Sequence, residues 1–193
     1  MHRRRPRYQA VVIGISTGGV AGLKTLLHAL PERYPLPVVI VAHISPDSGS
    51  GLARLLDDYC AIRVKEADEL EPLTPATVYL SPPNYHLQVE RGGFLSLSVD
   101  APVNFARPSV DVLFETAANA FGPALIGVIM TGAGSDGSKG LKRVKELGGL
   151  AIVQDPADAE AAAMPRSALA AVTPDHVAAL KDLAPLLVKL GRG

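Results

Sequence analysis

Short unbroken apolar runs alternate along this chain with segments in which leucine and valine recur every three or four positions. The runs are Val11-Val12-Ile13-Gly14-Ile15, Val38-Val39-Ile40-Val41-Ala42, Leu125-Ile126-Gly127-Val128-Ile129-Met130 and Leu150-Ala151-Ile152-Val153-Gln154. Runs of that kind suit strands buried on both faces of a parallel sheet. After the first, Val20, Leu23, Leu26, Leu27 and Leu30 have helical spacing, and Pro31 closes the helix. Leu52, Leu55, Leu56 and Tyr59 mark a second helix after a Ser45–Gly49 loop. Leu141, Val144 and Leu147 line the helix that follows the third run, and Met164-Pro165-Arg166-Ser167 opens a short one, with Pro at a tolerated early position. Val177 to Leu190 reads as a final amphipathic helix.

The middle of the chain carries a different period. Ile62-Arg63-Val64-Lys65 alternates, and Thr77-Val78-Tyr79-Leu80 is short. His86-Leu87-Gln88-Val89-Glu90 and Phe94-Leu95-Ser96-Leu97-Ser98 alternate around Arg91-Gly92-Gly93, which predicts a β-hairpin with one solvated face, at the sheet edge or packed beside it. Residues 101–108 read as a loop, and Val110, Leu113, Phe114 and Ala117 as a helix with Ser109 as its N-cap. The expected fold is therefore α/β: a doubly wound, mainly parallel sheet with helices on both faces and an antiparallel hairpin.

Composition narrows the class. The 193 residues suffice for one sizeable domain, and 48% hydrophobic with 20% charged content is that of a globular protein. Net charge is zero, so no overall field favours nucleic acid or an anionic membrane. Residues 1–8, with His2-Arg3-Arg4-Arg5-Pro6-Arg7, read as a disordered basic tail, and 9–193 as a single domain. The first apolar run breaks at Gly14, too soon for a signal peptide, and no run approaches the length of a membrane span. A cytoplasmic location is expected. Cys60 is the only cysteine, read as a core thiol; no His, Asp or Glu spacing suggests a metal site, and no cofactor is expected.

Candidate chemistry lies at the ends of the apolar runs. Gly14-Ile15-Ser16-Thr17-Gly18 fits the G-x-S-x-G nucleophile elbow, and the same Gly-rich turn also reads as a phosphate cradle. His43 follows the second run directly, and Asp136 lies in Thr131-Gly132-Ala133-Gly134-Ser135-Asp136-Gly137 after the third. Ligands of open α/β sheets bind outside the carboxyl ends of strands, so Ser16, His43 and Asp136 can converge there. They are the residue types of a nucleophile, a general base and an orienting carboxylate, with glycine-flanked backbone N–H groups for an oxyanion. Taken singly, Ser16 and Asp136 also read as helix N-caps and His43 as a structural histidine. The order Ser, His, Asp is not that of the α/β-hydrolases.

With these motifs the chain resembles the catalytic domain of the bacterial chemotaxis protein-glutamate methylesterase family. The resemblance is carried by Ile13–Gly19, Ala42-His43-Ile44, Arg107-Pro108-Ser109-Val110-Asp111-Val112-Leu113-Phe114, Ile129–Gly137 and Met164-Pro165-Arg166, in order from about Val11 to Leu190. It implies a serine esterase whose catalytic residues fall on Ser16, His43 and Asp136, with Thr17 and Ala133 at the oxyanion pocket. It implies hydrolysis of glutamate methyl esters, and deamidation of glutamines, on the cytoplasmic helices of methyl-accepting chemoreceptors. Family members commonly carry an N-terminal receiver domain. Here about ten residues precede the first strand, so the expectation is a stand-alone form, or a piece of a longer chain, with a separate regulatory protein in that role. The family often has Met where this chain has Ala133, a change expected to widen the pocket while keeping the backbone N–H. The rival classes are a nucleotide- or phosphate-binding module and a receptor-binding regulator without turnover.

Overall fold

The structure is a computed structural model, and it describes residues 7–43 and 51–192. The basic residues 2–5 and the Ser45–Gly49 loop lie outside the described residues. Tyr8, assigned above to the tail, is buried in the core.

Among the described residues nine strands and six α-helices follow in chain order. The strands are β1 (Ala10–Ile15), β2 (Val38–Ala42), β3 (Arg63–Glu66), β4 (Thr77–Leu80), β5 (His86–Glu90), β6 (Phe94–Ser98), β7 (Leu125–Ile129), β8 (Leu150–Gln154) and β9 (His176–Ala178). The helices are α1 (Gly19–His28), α2 (Leu52–Tyr59), α3 (Val110–Phe121), α4 (Ser138–Glu146), α5 (Ala163–Ala171) and α6 (Leu180–Gly191). Seven strands form one sheet in the order β3-β4-β2-β1-β7-β8-β9, and every pairing in it is parallel. The hairpin β5-β6 forms a separate antiparallel sheet.

Side chains of β1 divide between the two faces with the period of two that a strand imposes. Val11, Ile13 and Ile15 join a core with Leu23, Leu26 and Leu27 of α1, Leu56 of α2 and Leu183 and Leu187 of α6. Ala10 and Val12 join the other core, with Leu113 and Phe114 of α3, Leu141 and Val144 of α4, and Leu87, Val89 and Leu95 of the hairpin. The hairpin thus packs beside the sheet as part of one helical layer.

Three elements differ from the sequence expectation. Val177 does not begin the last helix: His176–Ala178 pairs with β8 as an edge strand, and the helix starts at Leu180. Three largely exposed residues are too few to carry a period, so the apolar spacing of the helix absorbs them. Helix α1 ends at His28, although Leu30 is still buried in the turn. Ser109 occupies the N-cap of α3, yet its hydroxyl makes no capping bond; it donates to Asp136 instead.

Candidate active site

β1 lies at the centre of the sheet between β2 and β7, and chain progression reverses direction across it. That reversal is the switch point at which open α/β sheets build their ligand sites. Ile15 pairs with Ala42 in register, so the next residues, Ser16 and His43, leave adjacent strands at the same level. The His43 N–H donates to the Ile15 carbonyl at 3.0 Å, and the Ser16 N–H donates to the Thr131 carbonyl at 2.9 Å. These ladder-like bonds fix the three strand ends relative to one another.

Ser16, His43, Asp136 and Ala133 line one cleft of about 420 Å³, together with Asn104, Phe105, Ala106 and Met164. Ser16 is half-buried and Ala133 exposed on the cleft wall. Thr17 is exposed, and its side chain lies outside the cleft lining. Its backbone remains beside Ser16, and among the described residues no acceptor takes the N–H of Thr17 or of Ala133. Gly132 lies directly beneath Ser16: an added Cβ would overlap Met164 Sδ and stand 2.9 Å from Ser16 Cβ.

His43 Nε2 stands 3.0 Å from Asp136 Oδ2, with Asp136 almost fully buried. The ring N–H is not aligned on that oxygen and makes no formal hydrogen bond. A small ring rotation aligns the N–H without changing the separation, and active-site bonds are often misaligned before substrate arrives. No hydrogen bond joins the Ser16 hydroxyl to His43 among the described residues, and Ser16 is held through its backbone.

Asp136 does not cap the helix that follows it; Gly137 takes that position without a side-chain bond. Its carboxylate crosses to α3. Oδ2 accepts the Val110 N–H at 2.7 Å, and Oδ1 accepts the Asp111 N–H at 3.0 Å and the Ser109 hydroxyl at 2.9 Å. Burial works against the charged form here, but the His43 contact, the two backbone donors and Ser109 outweigh it and hold the carboxyl below its ordinary range. The close approach of α3 needs Gly14, where a Cβ would overlap Val110 Cγ1. Asp111 takes the opposite shift. Burial pushes its carboxyl up, more than its bond from the Gly140 N–H pulls it down, and Asp136 nearby adds to the rise.

Several supporting residues escaped the sequence reading. Thr131 Oγ1 donates to the Thr17 carbonyl and accepts the Ala161 N–H, tying the loops after β1, β7 and β8 together. Gln154 accepts the Thr131 N–H, and its position as the one polar residue in an apolar run was the available signal. His86 Nδ1 accepts the Ser109 N–H, which leaves Nε2–H to donate to the Ala101 carbonyl. Alternation with Leu87 and Val89 puts His86 on the outer hairpin face; the loop folding back over it is what buries it. Among the described residues no cluster of His, Cys, Asp or Glu has metal-site geometry.

Comparison with known proteins bears on this geometry. The model of the CheB methylesterase family matches residues 11–187. The chain belongs to the CheB methylesterase family. A Leptospira interrogans protein named as a protein-glutamate methylesterase/protein-glutamine glutaminase is 50% identical over 183 residues, covering 95% of each chain. A Moorella thermoacetica protein of the same name is 42% identical across 98% of this chain, which spans 46% of that relative. The crystal structure of the Thermotoga maritima CheB methylesterase catalytic domain superposes with a TM-score of 0.91 at 35% identity, covering 95% of this chain and 98% of that one. The CheB methylesterase fold is thus the one observed here, hairpin included.

Proposed function

We propose that this chain is a protein-glutamate methylesterase, with residues 9–193 as one catalytic domain, that hydrolyses glutamate methyl esters and deamidates glutamines on the cytoplasmic helices of chemoreceptors. The observation that carries the reading is the meeting of Ser16, His43 and Asp136 in one cleft, at adjacent strand ends of a CheB-family fold. In this reading His43 Nδ1, the nitrogen turned away from Asp136, takes the Ser16 proton as Oγ attacks the ester carbonyl. The oxyanion is received by the backbone N–H groups of Thr17 and Ala133, which no acceptor among the described residues takes. His43 then returns the proton to the leaving methoxide, and methanol departs. Water activated by His43 attacks the acyl-enzyme, releasing the glutamate carboxylate and restoring Ser16. With glutamine the leaving group is ammonia. Asp136 holds the ring and stabilises the imidazolium.

No cofactor enters this chemistry. The phosphate-cradle reading is disfavoured by Glu160, whose carboxylate already lies over Gly18 at the start of α1, where an anion would sit. Among the described residues no helix is long and apolar enough to cross a membrane, and the proposed site of action is the cytoplasm. A separate regulatory protein is the proposed controller. Ser16→Ala should abolish methanol release from methylated receptor and leave the thermal midpoint within a few degrees; unchanged turnover would rule out the assignment.

A further inference from the structure

Residues 103–106 form a two-residue β-turn on the rim of the cleft. Val103 and Ala106 exchange backbone hydrogen bonds at 3.0 and 2.9 Å, and the central residues Asn104 and Phe105 have φ of 51° and 63°. Two successive left-handed residues are the geometry of a type I′ turn, whose second central position is usually glycine. Here it is phenylalanine. A bulky residue in that region is strained, and its ring is fully exposed, so no packing among the described residues offsets the strain. The identity of Phe105 is not explained by folding.

The turn is nonetheless held firmly. Asn104 Nδ2 donates to Asp111 Oδ2 at 3.0 Å, and Asp111 Oδ1 accepts the Gly140 N–H at 2.7 Å. Arg107 Nη1 donates to the carbonyls of Val99 and Asp100. Val99 and Val103, on the same loop, are exposed as well. A solvent-facing aromatic on a fixed mount is the arrangement of a binding anchor, since its ordering cost is met before the partner arrives.

We propose that Phe105 is a specificity-determining residue that selects the protein substrate by packing against an apolar side chain one helical turn from the esterified residue. This rests on the methylesterase reading above. Phe105 lines the same cleft as Ser16 and His43, so a helix that delivers an ester to Ser16 lies across this rim. Residues three or four positions from the ester share its helix face and meet the ring. Phe105 touches no reacting atom; it governs which ester-bearing chain is held in place. A small ester reaches Ser16 without a helix lying across the rim, so it depends on Phe105 less than a receptor does.

The test compares methanol release from a methylated receptor with hydrolysis of nitrophenyl acetate, in the wild-type chain, Phe105→Ser and Phe105→Leu. Burying a Phe ring accounts for roughly tenfold in affinity or more. Phe105→Ser should therefore lower kcat/KM for the receptor, relative to the small ester, about tenfold, through KM rather than kcat. Phe105→Leu should recover most of that loss. A Phe105→Ser ratio equal to wild type, or an equal fall on both substrates, overturns the proposal while leaving the esterase reading intact. Absence of methanol release by the wild-type chain overturns both. Phe105→Gly relieves the backbone strain, so a thermal midpoint at or above wild type shows that any loss of receptor turnover is not a folding defect.

Discussion

Ser16 owes its setting to residues that carry no chemistry. Gly132 beneath it leaves room for both Ser16 and Met164, and Gly14 lets the start of α3 approach. Overpacking at such a contact costs about 1–3 kcal/mol. Gly132→Ala should therefore lower stability by about that amount in urea unfolding, and also reduce kcat/KM at least about tenfold by displacing Ser16. Adding Met164→Ala removes the overlap with Sδ and should recover part of the stability. It should not recover the activity, because the contact with Ser16 Cβ persists. The glycines on either side of Ser16 were legible as an elbow from the sequence. Gly132 was visible only as one letter in a Gly-rich loop, because its close neighbours are 32 residues ahead and Ser16 far behind.

Elements, not single residues, give Asp136 its two tasks. In the proposed reaction it orients His43, and it also accepts the first N–H groups of α3, which the helix itself cannot pair. Asp136→Ala should cost about 1–3 kcal/mol from the orphaned donors, in addition to a fall in kcat of roughly 10³-fold or more. Ser109→Ala removes one donor to the same carboxylate and should cost no more than about 1.5 kcal/mol, with a far smaller effect on kcat. Comparing the two variants by denaturant titration and steady-state kinetics separates capping from catalysis. Strand and helix identities were largely legible because each is written in a local period. What went unread, the strand β9 and the contacts of Asp136 with the start of α3, are both pairings across distance. Three exposed residues carry no period, and nothing near Asp136 in the chain points to α3.

At the scale of the whole molecule, the two shifted carboxyls at the start of α3 and beside His43 respond to pH with opposite sign. Asp136 is depressed below its ordinary value of 3.8 in the folded state. Its contribution to stability is therefore complete above that value and is lost as pH falls through the folded one. Asp111 is raised above 3.8, so its contribution is present below that value and is lost as pH rises through the folded one. The stability difference between wild type and Asp136→Asn, measured by urea unfolding, should be largest near neutral pH and should shrink as the pH drops below about 4. A difference that stays constant down to pH 2 would mean that the native contacts do not favour the charged form. At this scale the fold also accounts for the buried His86, since the 101–109 loop must close over the hairpin before it has partners.

What the sequence determined by itself was local: which runs are strands, which are helices, and that a serine, a histidine and an aspartate each follow a buried strand. Those features depend on turn chemistry and on periods of two and 3.6, which a few neighbouring residues set. The tertiary structure alone decided that β2, β1 and β7 are adjacent, that Asp136 reaches across to α3, and that Phe105 stands at the rim of the same cleft. Strand order and long-range hydrogen bonds are selected by packing of the whole chain, and no short stretch of residues encodes them.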